Sequence, residues 1–307
     1  MPQVLVGTAG WSYEDWKGVV YPEGLGRLHP LSYLARYVDC VEVNSTFYRT
    51  PPVPMVQGWL KAVASRPGFQ FAVKVHQAFT HERKDFSAGD VEAFQRAVEP
   101  LAAAGRLAAL LFQFPWSFRN TEAHRDYLTG LFSLFAGLPM ALEVRHGSWD
   151  DPDFFAFLRG RRVAFCNIDQ PVIGASLGPT AVVTDPRFAY VRLHGRNAKD
   201  WFREGAGRDA RYNYLYAKNE LEEWIGRIKE LGRSTDRIYV ITNNHYRGQA
   251  LANALQIKNL TSGKKLEVPE ELLRQYPVLE EIIERLRKGQ FDLFDDNPGR
   301  TSGGTKG

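Results

Sequence analysis

Two cysteines in 307 residues leave no material for a disulfide framework or a zinc knuckle. Cys40 and Cys166 each sit inside an apolar run (38–43 and 163–168), where cysteine acts as a small buried hydrophobe. No apolar stretch approaches the roughly 20 residues needed to span a bilayer, and Val4-Leu5-Val6 is entered without the basic and apolar regions of a secretion leader. The expectation is a cytoplasmic chain with no membrane partner. His-Glu-x-x-His and similar metal signatures are missing, so no cofactor is expected. A divalent metal, for which Glu42, His76, His81, Glu143, Asp169, His194 and His245 are the available donors, is not favoured. Internal repeats are absent as well. Charge of one sign is in short supply: 39 Lys and Arg against 35 Asp and Glu give a net +4. That falls short of the basic stripe of a nucleic-acid module, so composition permits DNA or RNA without arguing for it.

What the chain has is alternation. Eight short runs rich in Val, Ile and Phe occupy 4–8, 40–44, 69–76, 107–114, 140–145, 163–169, 189–194 and 237–243. Between them lie amphipathic segments such as 54–64, 90–104, 122–135, 221–231 and 249–260, with Asp90, Thr121 and Asn219 placed as caps. Eight strand-like runs, the number that closes a parallel barrel, alternating with helical segments predict a (β/α)8 TIM-type barrel over 1–262. The crossover 171–186 carries two Gly and three Pro and shows no helical period, so an irregular connection is expected between strands six and seven. A helical extension is expected over 263–288, mainly 269–288, and a flexible tail over 289–307.

In such a barrel, residues along a strand alternate between the helix layer and the barrel axis. Val41, Val43, Val144, Val191 and Leu193 are the apolar, outward set. The inward set is then Glu42 and Asn44, Lys74 and His76, Gln113, Glu143 and Arg145, Asn167 and Asp169, Arg192 and His194, and Asn243. Burying unpaired charge costs on the order of several kcal/mol each, and a barrel built only for stability fills its axis with Val, Ile and Leu. Polar groups gathered at strand C-termini therefore read as a site, with a self-neutralising ladder of Glu42, Lys74, Glu143, Arg145, Asp169 and Arg192 as the structural alternative. Pairing His194 with Arg192 and Glu143 with Arg145 sets titratable groups beside guanidinium forks that clamp anions. Glu143, Asp169 and His194 are the candidates for proton transfer, and Trp11, Tyr13, Glu42, Asn44, Lys74, His76, Gln113, Arg145, Arg192 and Asn243 for substrate binding. Aromatics in the following loops, among them Trp11, Tyr13, Phe47, Tyr48, Trp116, Trp149 and Trp201, suit stacking on a sugar or a nucleobase.

The same residues carry a family likeness. Gly7-Thr8-Ala9-Gly10-Trp11-Ser12-Tyr13, Glu42-Val43-Asn44-Ser45-Thr46-Phe47-Tyr48, Lys74 with Thr80-His81, and Phe112-Gln113-Phe114-Pro115 come first in order. Glu143-Val144-Arg145-His146 with Trp149, Tyr190-Val191-Arg192-Leu193-His194-Gly195, and Asn243-Asn244 with Gly248 and Ala250 follow. Over residues 3–260 the chain resembles the YecE-like family, domain of unknown function 72. The resemblance implies a (β/α)8 barrel, similar in outline to the endonuclease IV and xylose isomerase type, without implying a reaction. This sequence lacks the dense His, Asp and Glu ligands of those metal enzymes.

The function expected from these readings is an enzyme of nucleic-acid metabolism, hydrolase-like, with an anionic, phosphate-containing ligand. A barrel enzyme of sugar or sugar-phosphate metabolism and a non-catalytic binding protein are the alternatives. In the tail, Gln290-Phe291-Asp292-Leu293-Phe294 resembles the peptide Gln-x-(Ser or Asp)-Leu-Phe by which bacterial replication and repair proteins dock on the DNA sliding clamp. Gln290, Asp292, Leu293 and Phe294 are its candidate contacts. Packing of the same apolar side chains on the barrel is the rival explanation.

Overall fold

In the computed structural model, residues 2–26, 28–84, 86–201, 203 and 208–284 are described. The clamp-like residues Gln290, Asp292, Leu293 and Phe294 lie outside them. Eight parallel strands form one closed barrel in sequence order: β1 (Gln3–Ala9), β2 (Cys40–Val43), β3 (Gln70–Lys74), β4 (Leu107–Gln113), β5 (Met140–Glu143), β6 (Val163–Asp169), β7 (Ala189–Leu193) and β8 (Arg237–Thr242). The seam is closed by β1 on β8, from Gln3↔Arg237 to Thr8↔Thr242. Gly7 is required where β1 meets β2, because a Cβ there would fall 1.9 Å from the Cys40 carbonyl oxygen.

Helices α1 (Pro30–Leu34), α2 (Val53–Ala62), α3 (Ala88–Ala103), α4 (Glu122–Leu134) and α5 (Pro152–Arg161) cover the first crossovers. Their starts follow from local chemistry. Ser87 and Asp90 form a reciprocal capping box on α3, and Thr121 accepts from the His124 amide on α4. Short helices α6 (Ala198–Trp201) and α7 (Arg208–Arg211) precede α8 (Lys218–Leu231), and α9 (Gln249–Ser262) follows β8. No helix joins β6 to β7. In its place Thr184 bonds the Phe165 amide and the Val163 carbonyl, and Asn167 holds Thr180 and the Val182 amide.

Of the helix expected over 269–288, residues 285–288 lie outside the described residues, and the described part is two pieces, α10 (Glu270–Gln275) and a tight turn Pro277–Ile282. Pro277 lacks the amide that would continue α10. Leu272 and Leu279 are buried, and the Tyr276 hydroxyl donates to the Arg247 carbonyl at 2.8 Å, so this segment lies beside the turn after β8. Among the described residues no helix is long and apolar enough to cross a membrane.

Candidate functional site

Strand register decides which polar residues share the barrel axis. Glu143 is level with Gln113 on the neighbouring strand, and Arg192 is level with Ile168 and Ile241. The floor of the strand-end mouth is a chain of buried charges. Arg192 reaches from β7 to both flanking acids: its Nη2 donates to Glu42 Oε1 at 2.5 Å, and its Nη1 donates to Glu143 Oε2. Tyr190, one step deeper, donates to Glu42 Oε2 at 2.9 Å. Arg145 approaches Glu143 Oε1 with Nε at 3.1 Å and Nη2 at 3.0 Å. His194 Nε2 lies 3.2 Å from that oxygen, while its Nδ1 is 2.9 Å from Asn243 Nδ2.

These contacts set the charge states. Burial works to raise the Glu143 pKa, but Arg192, His194 and Arg145 together hold it well below the usual carboxylate range. Burial, helped by Arg145 and Arg192, brings His194 down to about 4, so the ring is neutral at pH 7. With Nδ1 accepting from Asn243, the proton of that neutral ring is on Nε2, facing Glu143. Lys74 has no such match. Its Nζ sits 3.8 Å from the centroid of Phe47 and pairs with no carboxylate among the described residues. Burial first, then Arg192 and Arg145, bring its pKa down to about 7.

Above this floor opens a cavity of 610 Å³. Of the residues anticipated from sequence, Tyr13, Asn44, Lys74, Gln113, Arg145, Arg192 and Asn243 line it. Glu42, Glu143 and His194 are fully buried beneath. Three anticipated residues are placed elsewhere. Trp11 packs edge-on against Trp59, ring centroids 5.8 Å apart, and does not line the cavity. β3 ends at Lys74, so His76 is turned away: its Nδ1 accepts from the Ala78 amide, and it borders a separate depression with Phe79 and Phe86.

Asp169 is the larger correction. It stands level with Leu193, and Asn167 with Val191, so both face the helix layer, whereas Cys166 and Ile168, level with Tyr190 and Arg192, face the axis. Arg196 grips the Asp169 carboxylate with Nε at 2.9 Å and Nη2 at 2.7 Å, and the indole N–H of Trp224 on α8 donates to it. Asp169 therefore neither orients His194 nor reaches the cavity; only its carbonyl meets the His194 amide, at 2.9 Å.

Several cavity residues were missing from the anticipated site. His81, in the wide helical turn Ala78–Glu82, packs edge-on against Phe47 at 4.7 Å and is brought to about 4 by burial and by Lys74 and Arg145. Its signal was the Thr80-His81 pair. His245 stacks on Tyr13 at 4.5 Å. Arg211 and Tyr212 enter from the segment between α6 and α8, which shows no periodic pattern and gave no sequence signal. Among the described residues no three His, Cys, Asp or Glu side chains gather as a metal-holding group.

Comparison with known proteins agrees with this geometry. A family model described as "Protein of unknown function DUF72" matches residues 5–276. UPF0759 protein YunF of Bacillus subtilis (strain 168) is 30% identical over 270 residues, covering 84% of this chain and 94% of the relative. UPF0759 protein YecE of Escherichia coli (strain K12) is 28% identical over 158 residues, 50% of each chain. A crystal structure of a DUF72 family protein from Thermotoga maritima MSB8, 37% identical, covers 84% of this chain and 99% of its own with a TM-score of 0.74. Another from Enterococcus faecalis V583, 26% identical, covers 85% and 96% with a TM-score of 0.75. With eight parallel strands closed in order and the family model matched over nearly all of them, the chain belongs to the DUF72 family.

Proposed function

We propose that this barrel is an enzyme acting on a small phosphate-bearing substrate seated at the strand ends. The observation that carries the reading is a charge imbalance at the cavity floor. Glu42 and Glu143 are matched by Arg192 and Arg145, and Lys74 is left over as an amine without a carboxylate. An entering anion supplies the counter-charge and raises the Lys74 pKa, so binding at pH 8 is accompanied by proton uptake. Trp116, Trp201 and Tyr212 wall the cavity and suit stacking on a sugar or base. Glu143, committed to Arg192 and Arg145, orients its neighbours and is a poor base, so proton transfer falls to Lys74 and the neutral His81. The hydrolase reading places the phosphate in a nucleic-acid strand. A cavity of 610 Å³ is sized for a small phosphate ester, as in sugar-phosphate chemistry.

Calorimetric titration with glycerol 3-phosphate, a mononucleotide and a short single-stranded oligonucleotide, each at rising salt, separates these forms. The small esters are expected to bind with a shallow salt slope and at least about tenfold more weakly to Lys74→Met. The same variant should be more stable than the parent by about 1–2 kcal/mol at pH 7, since it removes a buried unpaired cation. An oligonucleotide that binds tightest with a steep slope moves the function to nucleic acid. No binding of any phosphate ester to the parent protein sinks the reading.

A further inference from the structure

Lys74 is badly placed for a lysine whose only task is to carry charge. It lines the cavity beside two guanidinium groups already spoken for by Glu143 and Glu42, with an aromatic face in place of a carboxylate. Its charged and titratable neighbours are Arg192, Glu143, Arg145, Glu42 and His81, and the cations among them outweigh the acids in their effect on the amine. Such surroundings keep a large share of Lys74 as the free amine at neutral pH, and that share remains a nucleophile while a bound phosphate draws the rest toward the ammonium form. His81 touches the same Phe47 ring as Lys74 does, and its neutral imidazole can carry a proton between nitrogen and oxygen. Arg211 borders the same cavity and offers a guanidinium to an anion there.

We infer that Lys74 is a covalent nucleophile whose Nζ condenses with an aldehyde or ketone that also carries a phosphate group. The inference rests on the phosphate-binding reading and names the substrate class for it. The Nζ lone pair forms the C–N bond while the carbonyl π pair moves to oxygen. Two N–H protons and the carbonyl oxygen then leave as one water, with His81 relaying the protons, and the C=N bond remains. No oxidant or reductant is consumed. The imine draws electrons from the adjacent carbon, the service that lysine imines provide in C–C and C–H bond chemistry.

The test is reductive trapping on the full chain. The protein is incubated with glyceraldehyde 3-phosphate, ribose 5-phosphate or unphosphorylated glyceraldehyde in the presence of cyanoborohydride, then read by intact mass and peptide mapping. The expected result is a single dominant adduct on the peptide holding Lys74, formed at least about tenfold faster with a phosphorylated probe than with glyceraldehyde. Lys74→Arg, checked for an unchanged melting profile, should lose that adduct and keep only slow labelling of surface lysines. Labelling spread over exposed lysines with Lys74 unmodified overturns the inference. Glycerol 3-phosphate, which has the phosphate but no carbonyl, separates the two failures. If it binds and Lys74 is not trapped, the imine is wrong and the phosphate site stands; if it does not bind either, both fall.

Discussion

Glu143 and Asp169 are two fully buried carboxylates near the ends of neighbouring strands, each gripped by arginine, yet only one belongs to the mouth of the barrel. Around Glu143 the partners converge from β5 and β7 and leave an open cavity with an unmatched amine beside it. Around Asp169 the partners close. Arg196 spends its remaining N–H groups on Glu220 and Glu223, the Tyr214 hydroxyl donates to Glu220, and Trp224 seals the cluster against α8. The difference teaches that buried charge alone does not mark a functional site; an unfinished set of partners does.

The largest expected effect follows from removing the arginine in each cluster. Arg192→Leu takes the shared cation from two fully buried acids, leaving Glu42 with the Tyr190 hydroxyl and Glu143 with Arg145 and His194, and should cost about 3–5 kcal/mol in urea unfolding. Arg196→Leu should cost about 1–3 kcal/mol, because Arg196 is 27% exposed and Asp169 keeps the Trp224 donor. It should also leave glycerol 3-phosphate binding intact. Equal losses, or loss of binding on the Arg196 side, would break the comparison.

A smaller effect is a pH dependence on the Glu143 side alone. The folded-state pKa of His194 is depressed to about 4 from an ordinary 6.5, so its contribution is fully present above 6.5. As pH falls from 6.5 toward 4 the unfolded chain takes up a proton that the folded ring refuses, and stability declines by about 1–3 kcal/mol. His194→Gln should flatten that window once its own constant loss is subtracted, and an undiminished slope would show that another group is responsible. His81 is depressed in the same direction, so His81→Gln is the control.

The smallest effect on the barrel is expected from Leu293 and Phe294, outside the described residues. If the Gln290–Phe294 peptide docks on the sliding clamp, Leu293→Ala with Phe294→Ala leaves the melting temperature within about 1 °C, since side chains that serve a partner add nothing to the packing of the barrel. Binding to the cognate sliding clamp at micromolar level should be lost in the same variant. A lower melting temperature without clamp binding by either form would assign these side chains to packing.

The barrel was legible because eight short apolar strands alternate with amphipathic segments in all but the β6 to β7 crossover, and Glu42, Glu143, Arg192 and His194 were legible because their strands have one polar and one apolar face. Strand β6 has no such contrast. Val163 and Phe165 on one face and Ala164, Cys166 and Ile168 on the other are all apolar, so the phase of Asn167 and Asp169 is set by register with β7 rather than by the strand itself. His76 was misjudged because the ladder ends at Lys74, and one turn of backbone then breaks the alternation. Arg211 and Tyr212 were invisible because cavity walls built by irregular segments have no period to read.

Closure of the seam has a consequence for how the molecule is made. Gln3 meets Arg237 only after more than three quarters of the chain exists, and the Glu42–Arg192 contact joins residues 150 positions apart. During synthesis from the N-terminus, β1 through β7 can pair in order while the β7 edge stays open, and Glu42 waits in water for its partner. Loop-closure entropy and the dehydration of the ladder are then both met late in assembly, when the cylinder shuts. The charged residues at the mouth are for that reason also among those whose contacts bridge the longest stretches of chain.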